Sequence, residues 1–87
     1  MRRMLRDVSG PIAIFAIDGE PCGDTLNRVL GLFSRLGLTP IRVAMRRGED
    51  MAHVEIVQDE LDEARAAVLA EKMRSMVAVS TVTLEYE

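Results

Sequence analysis

One cysteine and one histidine are the residues of this chain best suited to nucleophilic or metal chemistry. Cys22 lies in the segment GEPCGD, directly before a stretch with helical periodicity, and His53 lies on a predicted strand. A thiol at a helix N-terminus has a lowered pKa, because the helix dipole favours the thiolate. A Cys22/His53-dependent enzyme is therefore one hypothesis. The alternative is an incidental loop cysteine and a solvated histidine on a strand.

Other chemistries need residues that the sequence lacks. One cysteine and one histidine are too few for a structural zinc site, and no Cys-x-x-Cys motif is present for metal transfer. Acidic residues stand in GEPCGD where a phosphate-binding loop would need free N–H groups and a basic side chain. We therefore expect no metal and no cofactor.

Charge and hydropathy argue against two classes of partner. The formal net charge of −3 disfavours nucleic-acid binding, and Phe15 is the one aromatic on the predicted central strands, where it is expected to be core. The longest apolar run, Ile12–Ile17, is far shorter than the roughly 20 residues that span a bilayer. The basic start of the chain is not followed by the apolar region of a signal peptide, so we expect a cytoplasmic protein with a reduced thiol.

Arg42, Arg46 and Arg47 form the one basic patch of the sequence, on a predicted edge hairpin. One interpretation is a charged edge that resists uncontrolled strand pairing. The other is a docking surface for an acidic partner or a bound carboxylate.

The first half of the chain predicts a strand, a helix and a strand. Ile12–Ile17 is apolar at every position, as in a central strand covered on both faces. From Asp24 to Leu36 the apolar residues recur at helical spacing, with Asp24 as the expected cap and Gly37 as the left-handed residue that ends the helix. Alternation from Thr39 to Arg47 predicts an edge strand, since Pro40 lacks an N–H group.

The second half predicts a strand, a helix and a strand again. Met51–Gln58 pairs with the preceding strand through a turn at Arg47–Asp50. A helix is expected from Asp59 to about Met76, with a core stripe of Ala64, Val68, Leu69 and Met73. The last strand, Val77–Glu87, changes its inward phase between Val79 and Val82, which predicts a bulge or a late start.

The order βαββαβ predicts an α+β, ferredoxin-like fold: a four-stranded antiparallel sheet with both helices on one face. Right-handed crossovers place the first and third strands centrally. We expect an N-terminal segment, residues 1–10, and a single domain, residues 11–87. A chain of 87 residues without a disulfide has a thin core, so burial against a partner is expected.

The run from Asp24 to Leu38, DTLNRVLGLFSRLGL, resembles the first helix of an ACT domain. Within that family it is most similar to the short small subunits of acetohydroxyacid (acetolactate) synthase. The resemblance implies a non-catalytic module of branched-chain amino-acid biosynthesis that binds a large catalytic subunit. A stand-alone homodimer that senses a small amino acid is the second hypothesis. Dimerisation is expected through the edge strand at Leu38–Met45 or through the helices.

The resemblance also implies where an amino-acid effector binds, which is the interface between two domains. The residues it indicates belong to the loop before the first helix and to the start of the second strand: Cys22, Gly23, Asp24, Thr25, Leu38, Thr39, Pro40 and Ile41. Many effector-binding members have glycine where this chain has Asp24. A carboxylate there repels an effector carboxylate, and capping of the helix is the role expected for it.

Overall fold

The computed structural model describes residues 10–87, which form six elements in the order βαββαβ. The elements are β1 (Ala13–Gly19), α1 (Gly23–Arg35), β2 (Arg42–Arg47), β3 (Ala52–Gln58), α2 (Glu63–Arg74) and β4 (Val79–Tyr86). The strands form one antiparallel sheet in the order β2-β3-β1-β4. This confirms the ferredoxin-like prediction, with β1 and β3 central.

The core lies between one face of the sheet and both helices. Alternate residues of β1, namely Ala13, Phe15 and Ile17, are fully buried on this face. From α1, Phe33 packs edge-on against Phe15, with ring centroids 5.5 Å apart. We call the opposite side of the sheet the open face. Residues of even number on β1 and β2, and of odd number on β3, point to it.

The first helix follows the prediction closely. Val29 and Phe33 are buried, and Leu26 and Leu30 pack against the core. The helix ends in a Schellman motif, in which Gly37 N–H donates to the Ser34 carbonyl and Leu38 N–H to the Phe33 carbonyl. Gly37 has φ +71°, a conformation that glycine adopts without steric cost.

The second helix differs from the prediction in both its start and its buried face. It begins at Glu63, because Asp62 caps it by accepting a hydrogen bond from Arg65 N–H at 2.8 Å. Ala64 and Val68 were expected in the core, and this is wrong: both are exposed. The buried stripe runs through Ala66, Leu69, Ala70 and Met73. Small alanines carry too little apolar area to indicate which face of a helix is buried.

The predicted bulge in the last strand is present, and the strands are shorter than predicted. Asp18 pairs with Thr81 but Gly19 pairs with Val79, so Ser80 is the extra residue of a bulge in β4. β2 begins at Arg42 rather than Thr39. The predicted N-terminal segment lies outside the described residues except for Gly10. No helix within residues 10–87 has the length and apolar character to cross a membrane.

Two glycines of the first helical region give a matched test of this geometry. Gly37→Ala should lower the free energy of unfolding by about 1 kcal/mol, because alanine is strained at positive φ. Gly31 lies inside α1, and a Cβ there would meet no atom within 4 Å. Gly31→Ala should therefore raise the free energy of unfolding by about 0.5–1 kcal/mol. Urea unfolding of both variants measures the difference, and equal effects would contradict the Schellman assignment.

Candidate functional site

Cys22 is the N-cap of α1, and its side chain makes no capping hydrogen bond. Its exposed Sγ lies 3.4 Å from Thr25 Oγ1. The pKa of Cys22 is lowered, chiefly because the Thr25 hydroxyl can donate to the thiolate, and further by the backbone N–H groups of Thr25 and Asp24. The pKa is lowered in the expected direction, but its chief cause is the Thr25 hydroxyl rather than the helix dipole.

Asp24 does not cap the helix. It lies inside the first turn, and its carboxylate accepts a 2.7 Å hydrogen bond from Arg28 Nε one turn later. The capping prediction is wrong because α1 begins at Gly23, which makes Cys22 the N-cap and places Asp24 inside the helix. The negative charge of Asp24 is therefore balanced within α1 by an exposed arginine.

His53 lies on the open face, away from the start of α1. Its Nδ1 is 2.5 Å from Asp18 Oδ1, and Asp18 Oδ2 accepts a hydrogen bond of 3.1 Å from Thr81 Oγ1. These side chains share one row across the sheet, which Arg46 completes on β2. No hydrogen bond joins His53 to Cys22 in the described part of the chain. The Cys–His pair needed by the enzyme hypothesis is not formed.

The three arginines of the predicted docking patch do not share one surface. Arg42 and Arg46 point to the open face, whereas Arg47, next in sequence, points to the helix side. Arg42 forms an ion pair with Glu55 on the neighbouring strand β3. Arg46 has no ion-pair partner among residues 10–87. Arg42 and Arg46 line an open trough of about 430 Å³ that also contains His53 and Glu55.

The two halves of the predicted effector site lie at opposite ends of the sheet. The loop Glu20–Gly23 follows the end of β1, in the row of Gly19, Ala52 and Arg47. Leu38–Ile41 precedes β2 at its other end. A strand rises about 3.4 Å per residue, so the five steps from Arg42 to Arg47 separate the halves by about 17 Å. One copy of the chain does not bring them together.

Gln58 holds the second half in place. This buried side chain donates from Nε2 to the carbonyls of Thr39 and Asp59, both at 3.1 Å. Ile41 N–H donates to the Val57 carbonyl at 2.8 Å. The sequence analysis missed Gln58, although a polar residue that directly follows the apolar pair Ile56 and Val57 at the end of a strand is a usable signal.

The first half lies beside the β2–β3 turn. Pro21 from the loop and Arg47, Gly48 and Glu49 from the turn line an open cavity of about 450 Å³. Arg47 was predicted as part of a docking patch, and its position next to the loop was not foreseen. No three His, Cys, Asp or Glu side chains within the described ranges are placed to hold a metal ion.

A protein-family model described as "ACT-like domain" matches residues 9–87. The chain belongs to the ACT-like domain family. ACT domains are generally regulatory modules, which is consistent with a non-catalytic role. A search of curated proteins gives no match to the chain.

Solved structures confirm the fold of this ACT-like domain. The crystal structure of the ACT domain from GTP pyrophosphokinase of Chlorobium tepidum has a TM-score of 0.70 at 17% identity, covering 85% of this chain and 96% of that one. The C-terminal domain of MgtC from Mycobacterium tuberculosis has a TM-score of 0.69 at 12% identity, with coverages of 92% and 94%. An uncharacterised protein from Thermotoga maritima has a TM-score of 0.62 at 17% identity, with coverages of 90% and 96%.

The geometry at Cys22 predicts a reactive thiol whose reactivity depends on one hydroxyl. Because the folded pKa is lowered, the rate of alkylation by iodoacetamide should rise with pH at a lower midpoint in the folded protein than in the urea-unfolded chain. Thr25→Val keeps the shape of the buried side chain but removes the donor, so its midpoint should move upward. The sole cysteine makes the measurement unambiguous. An unchanged midpoint in Thr25→Val would refute the assigned role of the hydroxyl.

Proposed function

We propose that this ACT-like domain is a regulatory module that pairs with a second copy through β2 and binds a small amino acid at the interface. The separation of the two half-sites carries the proposal. An antiparallel neighbour on β2 would place the start of its β2 beside the end of this one, where Pro21 and Arg47 line the cavity. Each interface would then hold two complete sites.

The hydrogen-bond pattern supports β2 as the pairing edge. Ile41 N–H donates to Val57, and Arg42 pairs with Val57, which turns the backbone groups of Arg42, Ala44 and Arg46 inward to β3. The N–H and C=O groups of Val43 and Met45 consequently point outward. β2 has no further neighbouring strand among residues 10–87. Unpaired groups of this kind readily accept another strand.

The charges favour one register for this pairing. If two copies paired about Ala44, Arg42 would lie opposite Arg46 of the second copy on both sides of the axis, and directly opposed like charges are destabilising. Pairing about Val43 places Arg42 opposite Ala44. It also places Met45 opposite Ile41, next to Val43. The exposed fraction of Val43 is 40% in the single chain. Burial of this apolar strip supports the Val43-centred register.

In that register the ligand site acquires both chemical components of an amino-acid pocket. Thr39 of the second copy comes opposite Arg47, next to the cavity lined by Pro21. Arg47, aided by the positive end of the α1 dipole, would bind the effector carboxylate. Leu38 and Ile41 of the second copy would provide apolar contacts. We therefore assign a small amino acid with an aliphatic side chain as the ligand class.

Disulfide crosslinking tests the dimer and its register together. In a Cys22→Ser background, Val43→Cys should crosslink to itself under mild oxidation, because residues paired on the axis have Cα atoms about 5.5 Å apart. Ala44→Cys, the matched control, should not, since its diagonal separation exceeds about 7 Å. Crosslinking of Ala44→Cys alone would show the other register. Crosslinking of neither variant, read on non-reducing gels, would refute the β2 dimer.

Calorimetry tests the ligand. Titration with leucine, isoleucine, valine and alanine should give heat from at least one of them. Arg47→Gln should weaken that binding by about 10- to 100-fold, the effect of losing a hydrogen bond from a charged group. Arg46→Gln removes the same charge from the open face and should leave the affinity unchanged. The absence of heat from every amino acid would contradict the sensing role.

A second candidate function is the finer one suggested by the first-helix sequence, a small subunit that binds a large synthase subunit. The exposed apolar side chains on and after α2 favour it: Val68 is 57% exposed and Val77 98%. α2 packs over β4 and β1, so this surface stays free in a β2 dimer. Co-purification from the native cell should then recover a large thiamine-diphosphate enzyme, and Val68→Glu should abolish its recovery. If the Val68→Glu variant still recovers the large enzyme, the surface around Val68 is not its binding site.

A further inference from the structure

The second outer strand, β4, has an edge well suited to pairing. Ile12 and Glu87 exchange both backbone hydrogen bonds, which turns the groups of residues 81, 83 and 85 inward to β1. As far as the bulge at Ser80, the alternation therefore points the N–H and C=O groups of Val82, Leu84 and Tyr86 away from the sheet. From Thr81 to Leu84, beyond the bulge, the strand has no charged residue and no proline, two of the usual protections of an exposed edge.

One side chain occupies the middle of this edge. Arg74, in the last turn of α2, donates from Nε and Nη2 to the Val82 carbonyl at 3.2 and 2.8 Å. Its Nη1 lies 2.5 Å from Glu71 Oε1 in the preceding turn. The guanidinium is therefore held between the Val82 carbonyl and the Glu71 carboxylate. It covers the carbonyl to which an added strand would have to bond.

We infer that Arg74 closes the β4 edge to a second copy of this chain. An added antiparallel strand needs a run of consecutive outward groups. The bulge at Ser80 already interrupts the run on one side. With Val82 occupied, only the groups of Leu84 and Tyr86 remain on the other side. A strand of another copy would have to displace a hydrogen bond from a charged donor, and its own N–H group would find no acceptor there.

The closure determines the form of the assembly, a consequence that rests on the proposed β2 dimer. Pairing through β2 alone gives a closed dimer with one two-fold axis. If copies paired through β2 on one edge and through β4 on the other, each added copy would again present a free edge. The sheet would then grow without limit. Arg74 would thus keep this small domain a defined dimer rather than a ribbon.

Sedimentation velocity over a range of protein concentrations tests the inference. Arg74→Met keeps much of the aliphatic stem but loses all donors. Its weight-average mass should rise with concentration to at least about twice that of the wild type. Arg65→Met, which removes the same charge from an exposed position of α2, is the matched control and should sediment as the wild type does. Circular dichroism confirms that each variant is folded, and Arg74→Gln replaces Arg74→Met if that variant does not fold.

Val43→Pro separates this inference from the proposed function. Proline removes only an outward N–H group of β2, so it should abolish the β2 dimer without opening the sheet. Arg74→Met combined with Val43→Pro should then stop at a dimer that forms through β4. If the wild type and Val43→Pro are both monomers while Arg74→Met dimerises, the β2 proposal fails and the Arg74 inference stands. If a folded Arg74→Met keeps the wild-type mass at every concentration, the inference is overturned.

Discussion

The register of β1, which pairs along its length with β3 on one side and β4 on the other, is the constraint on which the rest of the structure depends. Antiparallel pairing alternates the direction of backbone groups. A single mutual pair, Ile12 with Glu87, therefore determines which N–H and C=O groups point outward on β2 and, as far as the bulge at Ser80, on β4. The same alternation places Phe15 and Ile17 in the core and Asp18 on the open face. A slip of one residue would exchange these sets.

The two edge strands, β2 and β4, are protected against uncontrolled strand pairing in different ways. β2 carries Arg42 and Arg46 on the open face, charged side chains of the kind that protect an exposed strand. β4 has the bulge at Ser80 and, beyond it, the guanidinium of Arg74, which reaches the Val82 carbonyl from α2. Charged side chains on one edge, and a bulge with a guanidinium-bound carbonyl on the other, both oppose unselective strand pairing.

The sequence predicts those parts of the structure that depend on local pattern. The apolar strand around Phe15, the helix that ends at Gly37 and the bulge after Val79 all follow from periodicity or from a residue with special backbone freedom. Two predictions failed where the local sequence allows more than one arrangement. Asp24 was predicted to cap the first helix, but it bonds to Arg28. The buried face of the second helix was predicted wrongly because its alanines are compatible with either face. The separation of the two half-sites and the reach of Arg74 to Val82 depend on tertiary placement, which no local pattern records.

Gln58 has a mechanical consequence. The two donors of its buried amide bind the carbonyls of Thr39 and Asp59, so one rigid group joins the connection between α1 and β2 to the connection between β3 and α2. Neither connection can shift alone without leaving a buried donor unsatisfied, which costs about 1–3 kcal/mol. One buried amide therefore ties the position of the chain before β2 to the position of the chain before α2.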